Sequence, residues 1–472
     1  MNIVLVNPPR DNLVKLDLED FVDLGDISSF PPIGLMYLAQ GLRNRVPDAD
    51  VTIIDSVVEG LDFNQIAERV NSIKPDVVGI TATTYTFYDV LHTALAIKSL
   101  SPDIPVAVGG SHMYIFSAET MSHACFDYGI VGDGEDTFTD LCLMITQRKP
   151  FQPLPGLMYR TKGEVAGEGV AVVEDLDSVR IPAVDLIDAT KYYSTIGKKS
   201  AVGTICTTRG CPFHCTFCQV PRTQYRSRSI DHILDEIEWY LAQGISDFFF
   251  FDDLFNVTKK RVAEFSERLM ERNLDISWMF RGRVDQIDDE VMRIAKKAGC
   301  HTVSVGIEDS TDEGLKQIKK RIEIEQAYLA VKAMRNNKIR SSANWIIGFP
   351  HHRTQADLDH LLKTAMEINS DYAQFSILQC LPGSELYDQA VAEGGLDDNA
   401  WRNYVLAPVP NFSPPIWEKH FSKQQLYDFY TKAYRKYYMR PGVVFKEVLA
   451  IRNLSELMTK ARSFFKIFLN PA

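Results

Sequence analysis

Short runs of β-branched and apolar residues alternate with amphipathic helical patterns along most of the chain. The first series runs NIVLVNPP, VTIIDS, DVVGITATT, PVAVGGSH and YGIVGDG, with helical patterns such as PPIGLMYLAQGLR between its members. Parallel strands joined by helices form sheets that are covered by helices on both faces. The N-terminal part of this α/β protein is therefore predicted to be a doubly wound, Rossmann-like domain.

A second series starts at AVGTICTTRG and continues with SDFFFFDD, ISWMFRGRVD, HTVSVGIEDS, SSANWIIGFP and DYAQFSILQCLPG. Six strand and helix units predict a partial (βα)6 barrel, since a complete barrel needs eight. A proline-rich connector separates the two series. The predicted segments are a Rossmann-like domain at 1–148, a linker with one small hairpin at 149–200, the partial barrel at 201–395 and a helical C-terminal segment at 396–472.

Composition narrows the class of protein. The chain has 472 residues, of which 45% are hydrophobic and 24% charged, enough for two or three domains. No apolar run approaches the ~20 residues that a membrane crossing needs, and no leader precedes Ile3, so a cytoplasmic enzyme is expected. A net charge of -11 opposes a nucleic-acid partner, because phosphate contacts require clustered Lys and Arg.

Residues 431–472 are basic although the whole chain is acidic, because they contain nine Lys or Arg and two Glu. Such a segment predicts either peripheral contact with an anionic membrane surface or a helical cap packed on the barrel. Its aromatic side chains include Tyr437, Tyr438, Phe464, Phe465 and Phe468.

Three of the eight cysteines, Cys211, Cys215 and Cys218, lie in the stretch TTRGCPFHCTFCQV after the first strand of the second series. Three thiolates can hold zinc or iron. A structural zinc site needs a fourth ligand, and the nearest candidates, Cys206 and His214, do not form a second closely spaced pair. A 4Fe-4S cluster with three protein ligands leaves one iron open, as a substrate-binding cluster requires, and the loop follows a barrel strand at the catalytic end.

This CxxxCxxC motif resembles that of the radical S-adenosylmethionine (SAM) superfamily. The resemblance implies that the three cysteines ligate a 4Fe-4S cluster whose open iron binds SAM. Reductive cleavage of SAM then gives a 5'-deoxyadenosyl radical that removes hydrogen from the substrate, with reduced flavodoxin or ferredoxin as the electron donor. Phe217 matches the aromatic residue that the family places near the adenine. Polar residues at strand ends complete the predicted SAM site: Asp252, Asp253, Arg283, Glu308 and Asn344.

The N-terminal motifs PPIGLMYLAQGLR, GGSH and GDGEDTF resemble the cobalamin-binding domain of cobalamin-dependent radical SAM enzymes. The sequence lacks the Asp-x-His-x-x-Gly motif by which other cobalamin proteins supply a histidine to cobalt. His112 is therefore expected either to be a structural or corrin-edge residue or to ligate cobalt. The predicted cobalamin-binding residues are Pro9, Thr83, Thr84, Gly109, Gly110, Ser111, His112, Gly132, Gly134 and Glu135.

Together the two resemblances imply an enzyme that uses cobalamin, SAM and a 4Fe-4S cluster to methylate an unactivated carbon of a small molecule. Two alternatives share these motifs: an oxidative cyclase, such as the anaerobic magnesium-protoporphyrin monomethyl ester cyclase, and a ring-rearranging enzyme. A non-enzymatic cobalamin or iron-sulfur sensor is the alternative from another class, and it predicts no turnover of SAM.

Overall fold

The computed structural model describes residues 1–16, 28–194, 201–220 and 224–442. Its first sheet begins with five parallel strands in the spatial order β3-β1-β4-β5-β6, the order of flavodoxin-like doubly wound domains. These strands are β1 (Asn2–Asn7), β3 (Asp50–Asp55), β4 (Val77–Thr81), β5 (Val106–Gly109) and β6 (Tyr128–Ile130). The predicted Rossmann-like architecture is confirmed.

The helices of this domain follow the predicted alternation. One of them, Phe63–Ile73, starts at a capping box between Asp62 and Gln65 and ends at Lys74, which has a left-handed backbone. The set comprises α1 (Ile33–Arg45), α2 (Ser56–Glu59), α3 (Phe63–Ile73), α4 (Phe87–Leu100), α5 (Met113–Ser122) and α6 (Glu135–Ile145).

The connector contributes a hairpin, β7 (Leu157–Thr161) and β8 (Glu164–Ala166), that pairs antiparallel with β6. The hairpin therefore extends the first sheet and covers the edge that β6 would otherwise expose. Further along, β9 (Tyr193–Ser194) pairs with the short β2 (Ser28–Ser29). The four segment boundaries predicted above remain a proposal.

The second sheet holds six parallel strands in chain order, as expected for a partial (βα)6 barrel. Its strands are β10 (Gly203–Ile205), β13 (Asp247–Phe250), β14 (Ser277–Gly282), β15 (Cys300–Glu308), β16 (Arg340–Ile347) and β17 (Tyr372–Ile377). The helices between them are α7 (Ile230–Ala242), α8 (Lys259–Glu271), α9 (Asp289–Lys297), α10 (Asp312–Gln317), α11 (Ile324–Asn336) and α12 (Gln355–Ile368).

The C-terminal helices are α13 (Glu385–Ala392), α14 (Asn399–Leu406) and α15 (Lys423–Tyr438). The last of these packs on β17, where Tyr437 donates to the Ser370 carbonyl at 2.6 Å and Tyr438 to the Ala373 carbonyl at 2.9 Å. These two tyrosines thus belong to a helical cap on the barrel, whereas Phe464, Phe465 and Phe468 lie outside the described residues. Among the helices that the structure describes, none is both long and apolar enough to cross a membrane.

Candidate active site at the domain interface

The carboxyl ends of the two sheets face each other. Tyr85, which follows β4, donates to Gln379 after β17 at 3.4 Å, and Ile115 in α5 lies against the loop at Gly383. Ligands of parallel α/β sheets bind at the carboxyl ends of the strands. The interface therefore brings two candidate binding edges together.

The cysteine loop follows β10 and lies between two short antiparallel strands, β11 (Thr208–Arg209) and β12 (Arg226–Ser227). Gly210 has a φ of 77°, a left-handed conformation that lets the chain turn sharply into Cys211. Within the loop, the Thr216 amide donates to the Ile318 carbonyl at 3.1 Å, and its carbonyl accepts from the Leu386 amide at 2.9 Å. The loop is thus tied to two other segments at the same end of the barrel.

Asp252 holds the base of this loop. Its buried carboxylate accepts hydrogen bonds from the Thr207 amide and hydroxyl, both at 2.6 Å, and from the Thr208 amide at 2.8 Å. Both oxygens are engaged by the residues that precede the cysteines. The structure thus gives Asp252 a positioning role, and its contact with SAM stays a prediction.

Replacement of Asp252 by alanine is expected to lower the free energy of unfolding by about 3 kcal/mol, because it leaves buried amide and hydroxyl donors without an acceptor. The looser loop should also retain less iron after reconstitution. Urea unfolding and iron analysis measure the two effects. Asp252→Asn, which keeps one carbonyl acceptor, serves as the matched control and should lose less of both.

The three cysteine side chains are partly buried and electrostatically coupled. Burial raises the pKa of Cys211 and Cys215 and raises that of Cys218 to about 11, and the neighbouring thiols add to the rise for Cys211 and Cys218. Lys320 and Arg283 oppose the rise at Cys215 by favouring its thiolate. Cysteine binds metal as the thiolate. The positive charges of Lys320 and Arg283 therefore suit an anionic iron-sulfur cluster.

The distances between potential ligand atoms distinguish a site for an iron-sulfur cluster from a site for a single zinc ion. Within the described ranges, one group of three has all its ligand atoms within 4.8 Å of one another, and it is Asp309 with His351 and His352. The three cysteine sulfurs are therefore spread more widely than the ~3.8 Å that a tetrahedral zinc with Zn–S bonds of ~2.3 Å imposes. The wider spacing fits a multi-iron cluster.

The Asp309 group is itself a poor metal site. The Gly348 amide donates to Nδ1 of His352 at 3.2 Å, so the proton of the neutral ring resides on Nε2, which donates to Asp309 at 3.0 Å. A metal would need the lone pair of that same Nε2. His351 Nε2 also lies 2.5 Å from the carboxylate. Burial disfavours the ionised form of Asp309, but the two imidazoles hold its pKa well below the usual range, which makes the group a hydrogen-bonded link between the loops after β15 and β16.

Two predicted SAM-binding residues occupy constrained positions. Glu308 adopts a left-handed φ of 74° where the pairing of β15 with β16 shifts register, and its carboxylate lies 3.0 Å from Lys320. Strained non-glycine residues concentrate at functional sites. Arg283 stacks its guanidinium 3.7 Å from the ring centre of Phe213 in the cysteine loop and pairs with Asp285 at 3.0 Å.

The remaining SAM-site candidates offer free polar atoms and an aromatic surface. Asn344 Oδ1 is buried and has no hydrogen-bond partner among the described residues, so it is ready to accept from a hydroxyl or amine of a ligand. The Asp253 side chain is exposed, and the surrounding protein raises the pKa of its carboxyl group. Phe217 packs on Phe349 with ring centres 5.7 Å apart. Arg283 and Asp252 contact the cysteine loop or its base, and Asn344 offers an acceptor on a neighbouring strand, which fits a cofactor that carries amine, carboxylate and ribose groups.

A cavity of 280 Å³ lies at the carboxyl edge of the first sheet, beside α1, and is lined mainly by apolar side chains and backbone. Gly110 and Gly132 both have a φ of 107°, and a Cβ on Gly110 would lie 2.5 Å from the Ala82 carbonyl. These positions require glycine. The cavity suits the apolar, planar part of a cobalamin nucleotide tail. The predicted residues that line it are Gly109, Gly110, Gly132, Gly134 and Glu135.

The other predicted cobalamin residues lie outside this cavity. Pro9 and Thr84 are buried, whereas Thr83 and Ser111 are exposed at the same sheet edge, where a corrin ring could contact them. His112 is fully buried: its Nδ1 lies 3.0 Å from the Thr84 hydroxyl and its ring stacks on Phe87 at 4.2 Å. Burial lowers the pKa of His112 to about 3, so the ring is neutral. These contacts fit a structural role for His112, whereas its buried Nε2 has no hydrogen-bond partner among the described residues, and both interpretations of His112 stay predictions.

On the structural interpretation, substitution of His112 by leucine is expected to leave the coordination of bound cobalamin unchanged. The electron paramagnetic resonance spectrum of bound cob(II)alamin should lack the nitrogen splitting that an axial histidine produces, in the wild type and in H112L alike. A histidine-derived splitting that disappears in H112L would assign the ligand to His112.

Sequence reasoning missed a group of charges that joins the two edges. Arg209, two residues before Cys211, pairs with Asp133 at 2.8 Å and with Glu135 at 2.5 Å, while Arg226 pairs with Asp133 at 2.7 Å. All four side chains are at most 19% exposed. The GDGE turn, predicted to contact cobalamin through Glu135, therefore directs its carboxylates at the barrel. The local signal was the Arg next to Gly-Cys in TTRGC, which indicates a charge at the base of the loop but not its partners Asp133 and Glu135.

Comparison with known proteins matches both halves of the site. Residues 28–142 match the B12 binding domain, and residues 205–365 match the radical SAM superfamily. An uncharacterized methyltransferase of Pyrococcus horikoshii is 33% identical over 456 residues, 95% of each chain. The anaerobic magnesium-protoporphyrin IX monomethyl ester cyclase of Rubrivivax gelatinosus is 28% identical over 87% of this chain and 74% of the cyclase.

The fold also matches a solved structure, that of the radical SAM methyltransferase TsrM from Kitasatospora setae with cobalamin and a 4Fe-4S cluster bound. The TM-score is 0.65 at 20% identity, over 84% of this chain and 75% of that protein. The agreement supports the arrangement of a doubly wound domain facing a partial barrel.

Proposed function

The chain belongs to the cobalamin-dependent radical SAM enzymes, and on that premise we propose that it is a methyltransferase that acts on carbon in a small molecule. One observation carries the proposal. The cysteine loop and the glycine-lined cavity open at sheet edges that face each other, and Arg209 contacts both. Two cofactors held at these edges would share one reaction space.

When bound, the cluster supplies the electron that cleaves SAM reductively, and cobalamin supplies the methyl group. Cys211, Cys215 and Cys218 would hold the cluster as thiolates. Lys320 and Arg283 compensate negative charge next to Cys215. Asp252 keeps the base of the loop in place through its three hydrogen bonds.

The SAM molecule would be oriented by the strand-end residues. Asn344 Oδ1, which has no hydrogen-bond partner among the described residues, would accept a hydrogen bond from SAM, and the Glu308 carboxylate, paired with Lys320, would accept one from its amine or a ribose hydroxyl. The Phe217 ring offers a flat surface for the adenine. On the facing edge, Gly109 and Gly134 line the cavity for the cobalamin tail.

Methylation is favoured over cyclisation by the extent of the similarity. The relative matched over 95% of both chains is an uncharacterized methyltransferase, while the cyclase of Rubrivivax gelatinosus is matched over 74% of its own length. Cleavage of SAM consumes an external electron, so a reduced flavodoxin or ferredoxin is proposed as the donor. The peripheral membrane contact of the basic C-terminus remains a separate prediction, because residues 443–472 lie outside the described ranges.

The test is an anaerobic assay of the reconstituted protein with SAM, reductant and hydroxocobalamin. Absorbance measures bound cobalamin, and mass spectrometry measures 5'-deoxyadenosine. Bound cobalamin together with deoxyadenosine is the expected result. Bound cofactors without any turnover of SAM would favour the sensor, and deoxyadenosine without bound cobalamin would remove methylation.

A further inference from the structure

The inner face of the partial barrel is open and polar. Along β16 and β17 buried residues alternate with accessible ones, since one face packs on the helices and the other lines the barrel interior. Register pairs Arg281 of β14 with Ser304 of β15, and Ser304 with Ser342 of β16, so the three share that inner face. The accessible residues of this face include Arg281, Ser304, Ser342, Asn344, Gln374 and Ser376.

Arg281 differs from the other arginines near the site. Arg283, Arg209 and Arg226 each pair with a carboxylate, whereas the Arg281 side chain makes no hydrogen bond or ion pair with any residue in the described ranges. Its guanidinium instead lies 5.0 Å from the ring centre of Phe249 and 5.2 Å from that of Phe251. The Arg281 side chain is also exposed, so cation–π contact leaves its N–H donors free to bind a ligand.

One acidic residue, Asp253, influences the charge of Arg281 without forming an ion pair with it. Asp253 favours the charged form of Arg281 but lies beyond the 4.0 Å of an ion pair, and it also raises the pKa of Cys211 and Cys218. The surrounding protein lowers the pKa of Arg281, as expected for a cation without a close counter-ion. Phe30 extends the aromatic wall, with its ring centre 5.1 Å from that of Phe249.

We propose that Arg281 binds a carboxylate or phosphate of the substrate, and that Phe249, Phe251 and Phe30 contact an apolar part of the same molecule. The planar guanidinium can donate two parallel hydrogen bonds to either anion. The substrate class is then a small organic anion with an apolar portion. The inference rests on the proposed function, because the substrate is the molecule that the barrel methylates.

SAM also carries a carboxylate, so the experiment distinguishes an anion site for the substrate from a site for the carboxylate of SAM. The holoprotein is treated with phenylglyoxal, which modifies free guanidinium groups, and the modified arginines are mapped by mass spectrometry. Benzoate and inorganic phosphate are the probes, and SAM is tested alone. Arg283, which is buried and paired with Asp285, is the matched control at the same strand end.

Arg281 is expected to react, and saturating benzoate or phosphate should slow its modification about tenfold, while SAM alone should not. Equilibrium dialysis should give the same SAM affinity for wild type and R281M. Protection by SAM alone, or weaker SAM binding by R281M, would overturn the assignment to the substrate. Absence of protection by both anions would overturn the anion site. Failure of the proposed function would appear separately, as missing deoxyadenosine in the wild type.

Discussion

Replacement of Cys215 by alanine is expected to abolish the iron-sulfur cluster and with it the formation of 5'-deoxyadenosine. A missing ligand leaves an iron without a protein thiolate in a cluster that has only three. The loss should exceed the ~100-fold that removal of an outer partner of a metal ligand causes. Iron and sulfide analysis of the anaerobically reconstituted protein and the deoxyadenosine assay measure the two effects.

Cys206 provides the matched control for this experiment. It lies five residues before Cys211, but its thiol donates to the Thr208 carbonyl at 3.2 Å, and burial raises its pKa to about 12. Cys206→Ala should therefore keep its full iron content and its deoxyadenosine formation. Loss of iron in C206A together with its retention in C215A would contradict the assignment of the CxxxCxxC cysteines as the ligands.

The order of strands and helices could be predicted because each carries a local signal. A strand buried on both faces, such as Phe248–Phe250, appears as a continuous apolar run, and an amphipathic helix repeats its apolar residues at helical spacing. The cysteine motif is local as well, since its three ligands lie in one loop. Such features do not depend on how distant segments pack.

The links between the domains could not be predicted in this way. Arg209 and Glu135 are 74 positions apart, and Arg226 and Asp133 are 93 apart. Their pairing depends on how the sheet edges meet, so the sequence assigned Glu135 to cobalamin from its glycine-rich surroundings alone. Asp252 illustrates the same limit, because a carboxylate after an apolar strand can cap a helix, bind a ligand or anchor a loop. Only the positions of Thr207 and Thr208 distinguish these roles.

Arg209→Gln is expected to weaken cobalamin binding by about 10- to 100-fold, the range typical of lost outer partners at a cofactor site. It should also lower the free energy of unfolding by about 3 kcal/mol, since removing one member of a buried ion pair leaves the others uncompensated. Absorbance titration with hydroxocobalamin and urea unfolding measure these effects. The iron content should fall less than in Asp252→Ala, because Asp252 still holds Thr207 and Thr208 at the base of the cysteine loop.

The conservative variant Arg209→Lys separates charge from geometry. Lysine keeps the positive charge but cannot present two fixed donors, one to Asp133 and one to Glu135, at the same time. Its cobalamin affinity should therefore lie between those of wild type and R209Q. Equal affinity in all three proteins would show that the ion pairs do not support the cobalamin cavity. An intermediate value for R209K would mean that both the charge and the two fixed donors of Arg209 support the cobalamin cavity, because the same guanidinium lines that cavity and pairs with Asp133 and Glu135 beside it.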